Sequence, residues 1–213
     1  MPCCARAVLA RRTPWSRATA SGILFAVPGR ERDVRRVTLF NTGLLDVRVG
    51  VFRRRPIIDH ASGQRIGFAR RPFGLGFRLS DEDDRVVLRV IGGLNRSWNV
   101  LGPNGAQVGS IVPALRQTKR GRWVRETNDS VGPSGWAGSV LLDNEEAAII
   151  SGGVVADPAT RRQLAALHRV EDERPIVWRL SISDRVEGPL RVMALAWLGV
   201  AFDLQRSADA AAG

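Results

Sequence analysis

The chain has 213 residues, 44% of them hydrophobic and 25% charged, with a formal net charge of +11. That length and balance suit one globular domain with a sizeable core and exclude a chain too polar to fold. Its two cysteines, Cys3 and Cys4, are adjacent, so they supply neither a disulfide framework nor a metal site, and core burial has to hold the fold, as it can in a reducing cytoplasm.

The charge is uneven. Residues 1–71 hold fifteen arginines against Glu31, Asp33, Asp46 and Asp59, while residues 72–213 hold seventeen basic and seventeen acidic side chains. An excess confined to the first third points to an anionic partner: a membrane surface, a nucleic acid or another acidic polymer. Lys119 is the single lysine, an arginine skew that GC-rich coding also produces.

In chain order, residues 1–21 contain Arg6, Arg11, Arg12 and Arg17, no acid and no apolar run long enough to pack, and read as a disordered basic arm. The apolar stretch 23–27 stops at Pro28-Gly29-Arg30, too soon for an export signal. The domain proper is expected over 22–206. Strands are expected at 34–39, then at 45–52, where Leu45, Val47, Val49 and Val51 alternate with Asp46, Arg48 and Gly50. Residues 56–58 enter a turn at 59–63, and 64–69 leave it. Further strands are read at 85–91, 97–101, 107–112, 136–142, 147–151 and 175–182, each bounded by Gly, Pro, Asn or Asp.

Gly63-Gln64-Arg65-Ile66-Gly67 and Gly105-Ala106-Gln107-Val108-Gly109 share one pattern 42 residues apart. The first glycine of each is expected to supply the positive φ of a hairpin turn. The second, inside the return strand, is expected at a bulge or a close backbone approach. One conventional helix is predicted from Asp157, with an N-cap aspartate, Pro158 at the first helical position, and Leu164 and Leu167 on one side. The acidic run Asp81-Glu82-Asp83-Asp84 lacks the ligand spacing of a calcium loop and reads as a solvated turn.

Residues 190–202 are apolar on every face except at Arg191, so this helix has to be enclosed. At roughly 20 Å it is too short to cross a membrane core of roughly 30 Å, and no transmembrane span is expected. A helix threaded through a β-barrel is the economical arrangement. Residues 207–213 are expected to be a disordered tail.

The hairpins and the apolar terminal helix ending at Phe202-Asp203 resemble the tubby C-terminal-like superfamily, most of all its phospholipid scramblase and LURP-one-related branch. The resemblance is carried by Ser97-Trp98-Asn99-Val100-Leu101 through Gly105 to Gly109, and by 189–203. It implies a mostly β fold, a single closed barrel of about twelve strands around the C-terminal helix. Tubby proteins bind phosphoinositides through basic residues, but no motif here carries those residues over. The cysteine-rich and calcium-binding segments of scramblases have no counterpart either.

Catalytic patterns are missing: Gly132-Pro133-Ser134-Gly135-Trp136 fails as a nucleophile elbow, and Gly74-Leu75-Gly76 lacks the third glycine of a dinucleotide site. His60 and His168 have no metal-ligand spacing, and His60 beside Asp59 reads as an exposed turn histidine. No cofactor and no enzymatic activity are expected. The candidate site is basic: Arg53, Arg54 and Arg55 end one strand, Arg70 and Arg71 end the next, and antiparallel pairing would bring both clusters to one rim. Five guanidiniums there could hold phosphates by bidentate hydrogen bonds. The expected function is a non-catalytic barrel that binds anionic phospholipid head groups or another polyanionic surface, or serves as an interaction module. The expected location is the cytoplasm, peripherally at a membrane. A nucleic-acid-associated role is the alternative, favoured by a pI near 11.5 but lacking any recognised nucleic-acid motif.

Overall fold

A computed structural model describes residues 38–48, 54–71, 76–92, 97–117, 123–125, 132–170 and 176–213. The expected arm at 1–21, residues 34–37 of the strand expected at 34–39, residues 49–52 of that expected at 45–52, and Arg53 lie outside the described residues; Leu39, the end of the first of these strands, is in a turn instead. In chain order the strands are β1 (Leu44–Arg48), β2 (Arg54–Asp59), β3 (Arg65–Arg70), β4 (Phe77–Asp81), β5 (Val86–Gly92), β6 (Trp98–Leu101), β7 (Gln107–Pro113), β8 (Leu115–Gln117), β9 (Trp123–Arg125), β10 (Ala137–Leu142), β11 (Glu145–Ser151), β12 (Val154–Ala156), β13 (Gln163–Val170) and β14 (Val177–Ile182). Twelve of them, all antiparallel, close into one barrel in the order β1-β14-β13-β12-β11-β10-β7-β6-β5-β4-β3-β2. Between β7 and β10 the chain inserts the two-stranded hairpin β8-β9 and a single helical turn, α1 (Gly132–Gly135). Closure removes sheet edges that would otherwise recruit other strands.

The barrel is filled by α2 (Gly188–Ala212). Every residue from Arg191 to Ala201 is buried, and α2 packs on strands on opposite sides of the barrel, among them β5, β7, β10 and β14. Leu195, Trp197 and Leu198 are fully buried, and Trp197 stacks on Trp136, which meets Trp98 edge-on. Gly199 is required because any side chain there would strike the Phe77 ring. The one polar exception is held through its two terminal nitrogens: buried Arg191 donates to the Thr42 carbonyl at 2.7 Å and the Val186 carbonyl at 3.1 Å, tying the helix start to the segment before β1. Burial lowers its pKa, opposed by the charges of Asp184 and Glu187.

The paired Gly motif proves to be one instance of a wider device. Among the described residues, five hairpins combine a left-handed turn residue with a bulge: the turn residues are Gly63, Asp84, Gly105, Asn144 and Arg161, with φ of 69°, 65°, 83°, 66° and 59°. Three residues later each return strand bulges, at Ile66, Val87, Val108, Ala147 and Leu164, as the pairing registers show. Gly67 and Gly109 follow two of these bulges, where a Cβ would run into the carbonyls of Ser80 and Leu141. Bulges increase local twist, which is what bends a flat sheet into a closed barrel.

Two expectations are corrected. The helix predicted from Asp157 is a hairpin: the Asp157 carboxylate accepts from Ala159 N, Thr160 N and Thr160 Oγ1, and Arg161 then reverses the chain into β13. An N-cap aspartate and an Asx-turn aspartate make the same local bonds, so that signature does not separate helix from turn. The backbone bond from Thr160 first, then its hydroxyl, holds the Asp157 carboxyl below its ordinary value. Inward positions in β13 are Ala165 and Leu167, period two rather than the helical spacing read from Leu164 and Leu167. The expected disordered tail at 207–213 instead continues α2 to Ala212, supported by Ser207 Oγ to the Asp203 carbonyl and Gln205 to Asp209, bonds one turn apart. Alanine-rich composition favours that continuation. No helix among the described residues is long and apolar enough to cross a membrane.

Candidate anion-binding site

Strands β2 to β5 pair in a register that lines up arginines. Arg54 lies opposite Arg70, Arg70 opposite Arg78, and Arg78 opposite Arg89. Residues directly opposite one another share a face, about 5 Å apart at Cβ. One step inward along the same strands, Arg55, Ala69, Leu79 and Leu88 form the lumen row. The row Arg54–Arg70–Arg78–Arg89 is therefore on the outside of the barrel, with Arg54 and Arg89 exposed and the middle two half-buried.

The face is built around Phe68, two residues before Arg70 and only 8% exposed although it points outward. The Arg54 guanidinium sits 3.4 Å from its ring centroid and that of Arg65 4.8 Å. Arginine stems cover apolar surface while their heads stay wet, and each cation–π contact contributes about 0.5–1 kcal/mol at such a site. Among the described residues, one carboxylate reaches the row. Asp84, from the β4–β5 turn, lies 2.9 Å from Arg70 Nη2 and 3.7 Å from Arg54 Nη2. Among the described residues, no acid pairs with Arg78 or Arg89. Like charges directly opposite on a sheet destabilise it, so folding alone does not favour this row.

Of the five arginines expected on one rim, the structure brings together two. Arg54 and Arg70 meet across the β2–β3 ladder. Arg55 points inward instead, its guanidinium 4.4 Å from the Phe202 ring centroid, and burial followed by the positive charge of Arg71 lowers its pKa. Arg71 pairs with Asp203 of α2 at 3.5 Å. Burial raises the Asp203 carboxyl pKa, against the Arg71 charge, a hydrogen bond from Trp98 and the Arg206 charge. Adjacent residues in a strand face opposite ways, so consecutive arginines could not share one surface. Arg78 was missed because no strand was expected between 69 and 85, and Arg89, although inside the strand expected at 85–91, had no partner to single it out until β4 placed Arg78 opposite it. The alternation Phe77, Leu79 inward and Arg78, Ser80 outward was the available signal.

The second polar cluster is on β1 and β14. Asp46 accepts from Arg179 Nε at 2.7 Å and Nη2 at 3.0 Å, and bonds His60 Nδ1 at 2.8 Å. Burial pushes the Asp46 carboxyl up, but the bonds and charges of Arg179 and His60 outweigh it and hold the carboxyl below its ordinary value. His60 is thus oriented by Asp46 rather than by its neighbour Asp59, whose carboxylate instead caps Ser62. Among the described residues no three His, Cys, Asp or Glu side chains gather as a metal site.

No protein family matches this sequence, and no curated protein does. A crystal structure of a protein from Arabidopsis thaliana is similar in fold at 15% sequence identity, with a TM-score of 0.43, covering 77% of this chain and 91% of that one.

Proposed function

We propose that the outer face of β2–β5 binds phosphate-bearing anionic surfaces, with phospholipid head groups as the partner and no catalytic step. The observation that supports this most is the cross-strand row of Arg54, Arg70, Arg78 and Arg89, served by a single carboxylate among the described residues. Guanidiniums at this spacing suit bidentate hydrogen bonds to neighbouring phosphates, and each basic residue near an anionic bilayer contributes roughly 1 kcal/mol before screening. Exposed Ile91, two residues after Arg89 on the same strand, adds an apolar contact suited to a membrane interface. In this reading the protein is cytoplasmic and peripheral to a membrane, and belongs with the tubby, scramblase and LURP-one-related barrels. The nucleic-acid reading is weaker, because among the described residues the row has no exposed aromatic side chain on which the bases of a single strand would stack.

The test is co-sedimentation of the full chain with anionic and with phosphatidylcholine vesicles across a salt series, beside duplex DNA in the same buffers. The expected result is salt-sensitive pelleting with anionic vesicles alone, lost in the quadruple variant Arg54→Gln, Arg70→Gln, Arg78→Gln, Arg89→Gln while it keeps a cooperative melt. Undiminished pelleting by that folded variant would move the anionic contact elsewhere on the chain. Stronger retention on DNA would favour the nucleic-acid role.

A further inference from the structure

We propose that Asp84 is an internal counter-ion that competes with bound phosphate for Arg54 and Arg70, leaving Arg78 and Arg89 as the open half of the row. This rests on the phosphate-binding reading above and adds the residue that limits its affinity.

Three observations carry it. First, Asp84 reaches the row from a turn, not from a paired strand position, and its carboxylate is 37% exposed, so it can leave without breaking the ladder. Secondly, its fit is partial. Oδ2 meets Arg70, while Oδ1 stands 3.7 Å from Arg54, beyond hydrogen-bond reach, and accepts no bond. Thirdly, buried polar atoms without a partner concentrate here. Among the described residues, Arg70 Nε, Arg78 Nε, Ser80 Oγ and Asp84 Oδ1 have none, and only Arg191 Nε lies elsewhere.

Ser80 is fully buried, two residues from Arg78 on the outward side of β4, and Arg78 is directly opposite Arg70. The three donors therefore belong to one small patch beneath the β4–β5 turn. A carboxylate brings one charge and two oxygens. A phosphate monoester brings about −1.5 to −2 charges and three terminal oxygens, enough to serve donors that Asp84 leaves unmet. The chemistry recognised is a terminal phosphate, whether on a lipid head group or free in solution.

The experiment compares the full-length wild type with Asp84→Asn, Asp84→Gly and the double variant Arg78→Gln, Arg89→Gln at one ionic strength. The probes are pyrophosphate, by calorimetry, and vesicles of phosphatidate in phosphatidylcholine, by co-sedimentation. Asn tolerates the left-handed backbone at this position and Gly occupies it at Gly63 and Gly105, so the turn survives in both Asp84 variants. Removing the competing charge is expected to tighten binding about two- to fivefold, the range of an exposed ion pair. Tightening toward both probes identifies terminal phosphate in either source, and tightening toward vesicles alone identifies the bilayer. If wild type binds, the double arginine variant does not, and neither Asp84 variant binds tighter, the counter-ion role is wrong and the phosphate reading stands. If no protein in the set binds either probe, both are wrong.

Discussion

The outer surface of this barrel carries two opposite arrangements of charge on the same kind of backbone. Across β1 and β14 the directly opposed residues are Asp46 and Arg179, and the carboxylate also holds His60. Across β2 to β5 the opposed residues are arginine on arginine on arginine. The first pattern is what sheet stability favours, because opposite charges facing each other add a few tenths to about 1 kcal/mol and like charges subtract similar amounts. A row that works against folding needs another reason for its position, and the anion proposed above would supply one. The difference separates charge that holds the barrel together from charge available to a partner.

Both faces depend on the enclosed helix, and disrupting it is expected to have the largest effect. Leu195→Asp would place an unpaired carboxylate in the fully buried centre of α2, at a cost of several kcal/mol, comparable to the stability of a whole domain. The variant should be insoluble or lack a cooperative melt by circular dichroism. A normal melt would mean that α2 is not the core of both faces.

The paired face comes next. Asp46→Asn should lower stability by about 2 kcal/mol, because it breaks a bidentate, charge-assisted pair whose partners are only 14% and 20% exposed. Denaturant titration reads this directly. The pH dependence has a definite sign. Asp46 is held below its ordinary value of 3.8 in the folded state, so its stabilisation is complete above that pH and is lost as pH falls through the lower folded-state value. Melting temperatures of wild type and Asp46→Asn should therefore converge in strongly acidic buffer and separate again toward neutrality. A gap independent of pH would assign the loss to packing rather than charge.

The turn device that shapes both faces gives a smaller effect. Gly63→Val and Gly105→Val should each cost at least about 1 kcal/mol and behave alike, because both glycines have the left-handed backbone that a β-branched residue disfavours. A Cβ at either position would meet open space, so the cost is conformational, with no clash added. Neutral melts at both positions would detach the repeated turns from barrel stability.

The smallest stability effect belongs to the unpaired row. Arg78→Gln with Arg89→Gln should change unfolding free energy by no more than about 0.5 kcal/mol, with any change toward greater stability, while anionic-vesicle binding falls. Destabilisation comparable to that of Asp46→Asn would erase the distinction between the faces.

Much of the architecture was legible in the chain alone. An all-round apolar helix too short for a bilayer, placed after period-two strands, has few enclosing solutions, and Gly63 and Gly105 marked two of the turns because only a residue without Cβ takes positive φ freely. Legibility failed where one local signal serves two structures, as at Asp157, while the turns read at 81–84 and around Asn144 gave no sign that they repeat the left-handed residue and bulge of Gly63 and Gly105. The candidate site was less legible than the fold. Arg54 and Arg70 stood out as parts of clusters, yet clustering along a strand puts neighbours on opposite faces, and Arg55 accordingly turned into the lumen. Arg78, Arg89 and Asp84 joined the site only through strand register and a bulged turn, which are set by pairing between strands. A one-residue slip would exchange the inner and outer rows, and the packing of Leu79, Leu88 and Ala69 around α2 is what prevents it.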